Sequence, residues 1–458
     1  MSRRFDAVVV GAGQAGPSLA LRLGQSGRKV ALIERKLMGG TCVNTGCIPT
    51  KAMVASAYVA HMSRRAGDYG VRHGDVAVDM ETVWERARGI SGQSRRSVET
   101  WVDGMPNVTL FRGHATFESP HGMRVGDEVF EASEFFLNVG GRAVAPDFPG
   151  ADTVPYLTNV GILELRELPK HLVIVGGSYI GLEFGQMFRR FGSEVTIVER
   201  GDRLLPREDP EVAAAVVDIL QREGITLHLG AECIELEGKA GDIRVIAECA
   251  EPRMKVRGTH LLIAVGRRMN TDDLGLDKAG VVIDARGHIV VDDQCRTNVE
   301  GIWALGDCNG KGAFTHTAYN DYEIVAANLL DNEPRRISDR IPCYALFIDP
   351  PLARIGLNQE EALKGGYDVR VGVRPMQRVG RAIERGETLG FMKVIVDGAS
   401  ERLLGAAILG VGGDEAIHCL LDVMYAKASC RTVTHAVHIH PTISELLPTT
   451  LQSLTAVT

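Results

Sequence analysis

This 458-residue chain lacks any apolar run long enough to span a bilayer, so no membrane-crossing helix is expected. It also lacks an excess of positive charge: 51 Lys and Arg stand against 58 Asp and Glu, a net −7. A balance of that sign gives no reason to expect nucleic acid or an anionic membrane as partner. Arg3 and Arg4 precede Ala7-Val8-Val9-Val10 as in a signal peptide, but Gly11, Gly13 and Gly16 interrupt the run. Of nine cysteines only two lie close together, which argues against a disulfide-stapled secreted framework. The expectation is a cytoplasmic protein in which one cysteine pair is catalytic. The composition, 45% hydrophobic and 24% charged, is that of a globular protein, and the length is too great for one core.

The close pair lies in Gly39-Gly40-Thr41-Cys42-Val43-Asn44-Thr45-Gly46-Cys47-Ile48-Pro49-Thr50-Lys51. Five residues advance about 7.5 Å along a regular helix, whereas a disulfide wants its Cα atoms about 4.4–6.8 Å apart. The segment must therefore bend if the sulfurs are to meet. Gly46 supplies backbone freedom and Pro49 removes an amide donor. A strained, reachable bridge opens easily, which suits redox chemistry. From spacing alone, two unconnected buried thiols remain the alternative.

Around the pair the chain repeats a unit. Phe5–Val10 reads as a strand, Gly11-Ala12-Gly13-Gln14-Ala15-Gly16 as a turn opening a helix, and Lys29–Ile33 as a second strand. Glu34 lies 23 residues after Gly11. The glycines permit the tight turn, the approach of a pyrophosphate and close helix packing, and the acid suits ribose hydroxyls. Pro17 is tolerated because its missing N–H would be unpaired anyway. The unit returns as strand His171–Val175, turn Gly176-Gly177-Ser178-Tyr179-Ile180-Gly181, helix Leu182–Phe191 and strand Glu194–Val198. Glu199 again follows 23 residues after the first glycine. Two such units imply two dinucleotides, FAD beside the dithiol and a nicotinamide in the second. Glu199 favours the free 2′-hydroxyl of NADH, although Arg200 and Arg203 could receive a 2′-phosphate.

Elsewhere, a helix is expected from about Met80 to Trp101, and strands at Val108–Phe117, Met123–Phe130 and Phe135–Gly141. Pro146, Pro149 and Gly150 mark a linker. Beyond Cys343 strands are expected at Ala345–Ile348, Ala353–Gly356, Met392–Val396 and Leu403–Leu409, then a helix over Gly413–Ser429. The expected fold class is α/β, with two Rossmann-like domains and a C-terminal α+β domain. The expected boundaries are 1–150 and 271–340 for the FAD domain, 151–270 for the nicotinamide domain and 341–458 for the last.

Taken with the paired turns and a closing His440-Pro441-Thr442-Ile443-Ser444-Glu445, the dithiol stretch resembles the active-site motif of the flavoprotein disulfide reductases. That family includes dihydrolipoyl dehydrogenase, glutathione reductase and mercuric reductase, and the resemblance covers essentially the whole chain. It implies electron flow from NAD(P)H through FAD to a Cys42–Cys47 disulfide. In it Cys47 is the flavin-proximal thiolate and Cys42 the interchange thiol. His440 is the acid/base, oriented by Glu445 and reaching the dithiol of the other subunit of a homodimer. Lys51 lies at the flavin ring with Glu183 as its partner. The resemblance further assigns Thr41, Ala115, Gly140, Asp307, Thr315 and Ala318 to FAD, with Gly113 beside Ala115, and Gly266 to the nicotinamide. Tyr179 matches an aromatic lid displaced by the nicotinamide, or else simply packs. Cys308 next to Asp307 reads as a buried inert thiol. No resident metal is implied.

The wording of the dithiol stretch and of Phe314–Tyr322 is similar to the mercuric-reductase-like branch. Mercuric reductases, however, carry a vicinal cysteine pair near the C-terminus, and Thr449–Thr458 has none. They also often carry a metal-binding domain ahead of the first unit, where here the first strand begins at once. The His-Pro-Thr-x-Ser-Glu wording and Glu199 fit dihydrolipoyl dehydrogenase; glutathione reductase, usually NADPH-dependent, ranks third. The expected substrate is a small disulfide or a thiol-bound metal ion. A flavin-bound redox sensor or metal-binding protein is the reading from another class.

Overall fold

The computed structural model describes residues 2–72, 74–248 and 253–457. Its first sheet is parallel, in the order Ile302–Ala304, Glu134–Leu137, Ala7–Val10, Val30–Glu34, Val108–Arg112. Ala7–Val10 and Val30–Glu34 are buried at every position, as strands covered on both faces must be. The second sheet repeats the pattern: His260–Ile263, His171–Val175, Glu194–Val198, Thr226–His228, again parallel. Each unit carries an antiparallel three-strand excursion. In the first it is Ala115–Ser119, Gly122–Val125 and Glu128–Glu131; in the second, Glu232–Lys239, Asp242–Glu248 and Met254–Gly258. The C-terminal sheet is antiparallel, ordered Cys343–Leu346, Leu352–Gly356, Arg402–Leu409, Phe391–Asp397, Val369–Pro375, Thr455–Ala456.

One core joins the regions that matter for function. Met53 and Ala57, on the Cys47–Arg64 helix, share it with Phe184, Met187 and Phe188 of the Tyr179–Phe191 helix and with Leu346 and Ile348. The helix that begins at the second cysteine is thereby fastened to the second dinucleotide unit. Met80–Asp103 packs alongside, its first turn capped by Asp79, which accepts from the Glu81 and Thr82 amides.

Several expected elements divide. Val108–Phe117 is two strands in different sheets, parted at Gly113, whose φ of +152° turns the chain. Met123–Phe130 is a hairpin folded at Gly126, φ +59°. Phe135–Gly141 is a strand only over Glu134–Leu137; Gly141–Ala143 then pairs with Arg267–Met269, joining the two units. The Gly413–Ser429 helix is two, Gly413–Ala416 and His418–Tyr425, and Val369–Pro375 is a strand that the apolar pattern did not announce. Alternation in Val369–Pro375 is blurred by Gly372 and by its place near the sheet edge.

Candidate active site

The two cysteines lie on two helices. Gly40–Thr45 ends at Gly46, whose backbone (φ −140°, ψ −121°) is not helical, and Cys47 begins the next, 18-residue helix. The break brings the two thiols near enough for each to shift the other's titration. A side chain at Gly46 would meet the Thr41 carbonyl oxygen at 2.9 Å, so Thr41 packs against the bend. Neighbours hold the first helix by its carbonyls. Asn44 donates to Met38 (2.8 Å) and Gly40 (2.9 Å), Asn159 donates to Thr45 (2.8 Å), and Ser91 donates to Val43.

The environment separates the thiols. Cys47 is pulled down to about 6, first by the hydrogen bond from Cys42, then by the Thr315 hydroxyl 3.3 Å away and by Lys51. Its place at a helix N-terminus acts in the same direction. The same bond and burial raise Cys42. Cys47 is the more exposed of the two. Eight cysteines are free thiols among the described residues; Cys249 lies outside them.

One helical turn on, Lys51 Nζ donates to Glu183 at 2.6 Å and lies 4.5 Å from the centre of the Phe347 ring. Glu183 is buried, and its other oxygen accepts from the Phe347 amide at 2.9 Å. The ion pair therefore ties the dithiol helix to the second unit and to the C-terminal sheet.

The two glycine turns are built alike. A side chain at Gly16 would strike the Gly11 carbonyl at 2.0 Å, and one at Gly181 would strike the Gly176 carbonyl at the same distance. Gly11 (φ +103°) and Gly176 (φ +114°) each sit against a crossing strand's end, at Asn138 and Ala264. Glu34 accepts from the Ala12 amide (2.8 Å) and from the amide two residues on, Lys36 (2.7 Å). Glu199 likewise accepts from Gly177 (2.5 Å) and Gly201 (2.8 Å). Arg203 donates to its own loop at the Pro206 carbonyl.

Around the first turn, Asp307 is half-buried, paired with Arg267 at 3.1 Å and pushed up by desolvation. Ala318 packs on Gly306, Ala115 is buried at the start of its strand, and Gly140 (φ +62°) and Gly266 (φ +127°) stand in open space. Gly13 lies between the turn and Asn138 Nδ2, 3.3 Å from where a side chain would begin. These features fit a dinucleotide: turns whose backbone a side chain would block, a carboxylate at each turn, and the Arg267 Nε, buried with no partner among the described residues. Asn138 is the residue that sequence reasoning passed over. Its Nδ2 donates to the Gly11 carbonyl at 3.3 Å and its Oδ1 faces Gly306. A polar residue closing the apolar run Phe135-Phe136-Leu137 was its only signal. Cys308 is fully buried, donates to Leu305 and Leu137 carbonyls, and is pushed up to about 12 by burial.

Beside the second turn, Tyr179 packs edge-on against Tyr344 and Phe314, the residue before Thr315. His440 is brought to Glu445 (Nδ1 to Oε2, 2.9 Å), yet its ring is 80% exposed rather than packed on the dithiol. Val437 and Ile439 beside it are exposed as well, 100% and 80%.

With that geometry, the similarity to known proteins is specific. Residues 5–321 match the family described as pyridine nucleotide-disulphide oxidoreductase, and 343–451 match its dimerisation domain. The chain belongs to this family of FAD-dependent class I flavoprotein disulfide oxidoreductases, which act on disulfides or metal ions. It is 36% identical over 453 residues to the probable pyridine nucleotide-disulfide oxidoreductase RclA of Escherichia coli (strain K12), covering 97% of this chain and 98% of that one. Mercuric reductase of Streptomyces lividans is 32% identical (99% and 96% covered), and dihydrolipoyl dehydrogenase of Chlamydia muridarum 31% (97% and 96%). Among solved structures, the Cu(II) complex of the HOCl-induced flavoprotein disulfide reductase RclA from Escherichia coli superimposes with a TM-score of 0.90 at 34% identity, covering 98% and 99%. No helix among the described residues is long and apolar enough to cross a membrane.

Proposed function

We propose that the chain is a cytoplasmic NADH-preferring reductase that uses the Cys42–Cys47 pair to reduce a small disulfide or a thiophilic metal ion. The carrying observation is the helix break at Gly46, which places both cysteines at one bend, where Cys42, Thr315 and Lys51 pull Cys47 down to about 6. When bound, FAD supplies the two-electron relay between nicotinamide and sulfur. Gly11, Gly13, Gly16, Glu34, Thr41, Lys51, Ala115, Gly140, Asp307, Thr315 and Ala318 would hold it, and Asn138 joins them. Gly176, Tyr179, Gly181, Glu199 and Gly266 would hold the nicotinamide. Glu199 fixed at its turn, with Arg203 turned to its own loop, supports NADH over NADPH.

His440, oriented by Glu445, takes the Cys42 proton as that sulfur attacks the substrate disulfide and passes it to the thiolate that leaves. Cys47 then attacks the Cys42 sulfur, re-forming the intramolecular disulfide and releasing the second thiol. Two electrons and two protons thus convert one disulfide to two thiols; the same pair reduces one Hg(II) or two Cu(II). The exposure of His440, Val437 and Ile439, together with the matched dimerisation domain, supports a homodimer in which His440 serves the partner's dithiol. The chain would then divide as 1–150 with 271–340, 151–270 and 341–458.

The Cu(II) complex of RclA and the mercuric reductase relatives support a metal-ion substrate; the dihydrolipoyl dehydrogenase relatives support lipoamide. A turnover screen against lipoamide, glutathione disulfide, Hg(II) and Cu(II), with NADH and NADPH, tests the reading. Flavin reduction by NADH with turnover of at least one acceptor is expected. Failure of both nicotinamides to reduce the flavin would leave a sensor or binder in its place.

A further inference from the structure

Three aromatic rings from three segments meet beside the second glycine turn. Tyr179 lies 5.7 Å from Tyr344 and 6.3 Å from Phe314, edge-on to both, while Phe314 and Tyr344 are stacked at 5.6 Å. Tyr179 is therefore held by ring contacts with both aromatics. Tyr344 also donates to Glu208 Oε1 at 2.5 Å and accepts from Arg354 Nη1 at 3.1 Å. Glu208 and Arg354 are nearly sealed from solvent, with side-chain exposures of 1% and 7%, and pair at 3.9 Å.

Burying such a pair adds little net stability; what it fixes is position. Phenylalanine at 344 would stack on Phe314 equally well, so the hydroxyl matters only for its hydrogen bonds. Glu208 belongs to the 200–209 segment that follows Glu199. The next residue, Asp209, is held by the buried Lys393 of the C-terminal sheet at 2.6 Å. Tyr344 thus packs its ring on Tyr179 while its hydroxyl joins the connector after Glu199 to the C-terminal sheet.

We propose that Tyr344, anchored by Glu208 and Arg354, is a positioning residue that holds Tyr179 across the nicotinamide entrance and sets how readily that ring yields. The proposal rests on reading the Gly176–Gly181 turn as the nicotinamide site. Displacing a tethered ring lowers apparent affinity by the fraction of molecules already open. A ligand that never reaches the ring does not meet this cost.

Calorimetric binding of NAD+ and of ADP-ribose, which lacks the nicotinamide, to the FAD-loaded enzyme tests it. Y344F should tighten NAD+ by about three- to tenfold, the worth of one net hydrogen bond, and leave ADP-ribose unchanged. E208Q, which keeps an acceptor for the Tyr344 hydroxyl, should hold the ratio of the two affinities near wild type. An equal change for both ligands in Y344F, or no change in NAD+, would overturn the tether. Wild-type enzyme binding neither ligand would instead overturn the nicotinamide reading itself.

Discussion

The two dinucleotide units share strand order, glycine contacts and a carboxylate folded onto its own turn, but differ in where the chain goes next. After Glu34 it doubles back. The Gly39 amide donates to the Ala12 carbonyl at 2.8 Å, and Gly40, at φ +62°, lies so close to Gly13 that a side chain would come within 2.8 Å of its Cα. The dithiol is thus laid directly on the first turn. After Glu199 the chain instead runs outward to the C-terminal sheet, where Asp209 meets Lys393 and Glu208 meets Tyr344 and Arg354. The two units thus differ in their connectors: one lays a cysteine pair on its own turn, the other ties its turn to the C-terminal sheet.

The sharpest way to break that comparison is to remove the sulfurs. Cys42→Ser and Cys47→Ser should each lower turnover by at least about 10³-fold, since a nucleophile acts as part of a unit. Cys42→Ser should keep the long-wavelength absorbance of a thiolate against flavin and Cys47→Ser should lose it; the opposite assignment would reverse their roles.

Next come the glycines. Gly40→Ala meets backbone at a left-handed conformation and should cost about 1–3 kcal/mol, with weaker FAD retention. Gly177→Ala meets only side-chain atoms, Leu204 Cδ2 at 2.5 Å and the Glu199 carboxylate at 3.0 Å, and should cost about 1 kcal/mol. Thermal denaturation and flavin content read both; equal losses would dissolve the distinction between the connectors.

Glu199→Ala should shift the ratio of NADH to NADPH turnover toward NADPH by about tenfold, the scale of one charge-assisted contact. Steady-state kinetics with both nicotinamides check it, and an unchanged ratio would remove Glu199 from cofactor choice.

The smallest expected signal is the titration of Cys47. A lowered value means thiolate above about pH 6 and thiol below it. Alkylation of the reduced protein should therefore rise through pH 6 and level off about a unit higher, as for any single titration. Lys51→Met should move the midpoint upward, because the ammonium helps hold the thiolate.

Much of the frame was readable because its signals are local. Glycines that tolerate no side chain, an acid at fixed distance and fully apolar strands appear within about thirty residues of one another in each unit. The bend at Gly46 was likewise implied by a spacing that no straight helix can close. What escaped depended on partners far along the chain. Asn138 matters because it crosses beneath Gly11, and Tyr344 because it packs against Tyr179; for Thr315, already expected at the flavin, only its contact with Cys47 was hidden.

The sequence by itself determined two dinucleotide units, the place of the dithiol and the class of chemistry, since each is written in contiguous residues. Tertiary structure alone decided that the Thr315 hydroxyl meets Cys47 and that Tyr344 and Phe314 pack on Tyr179. Those outcomes depend on contacts between segments more than a hundred residues apart, and no local pattern carries them.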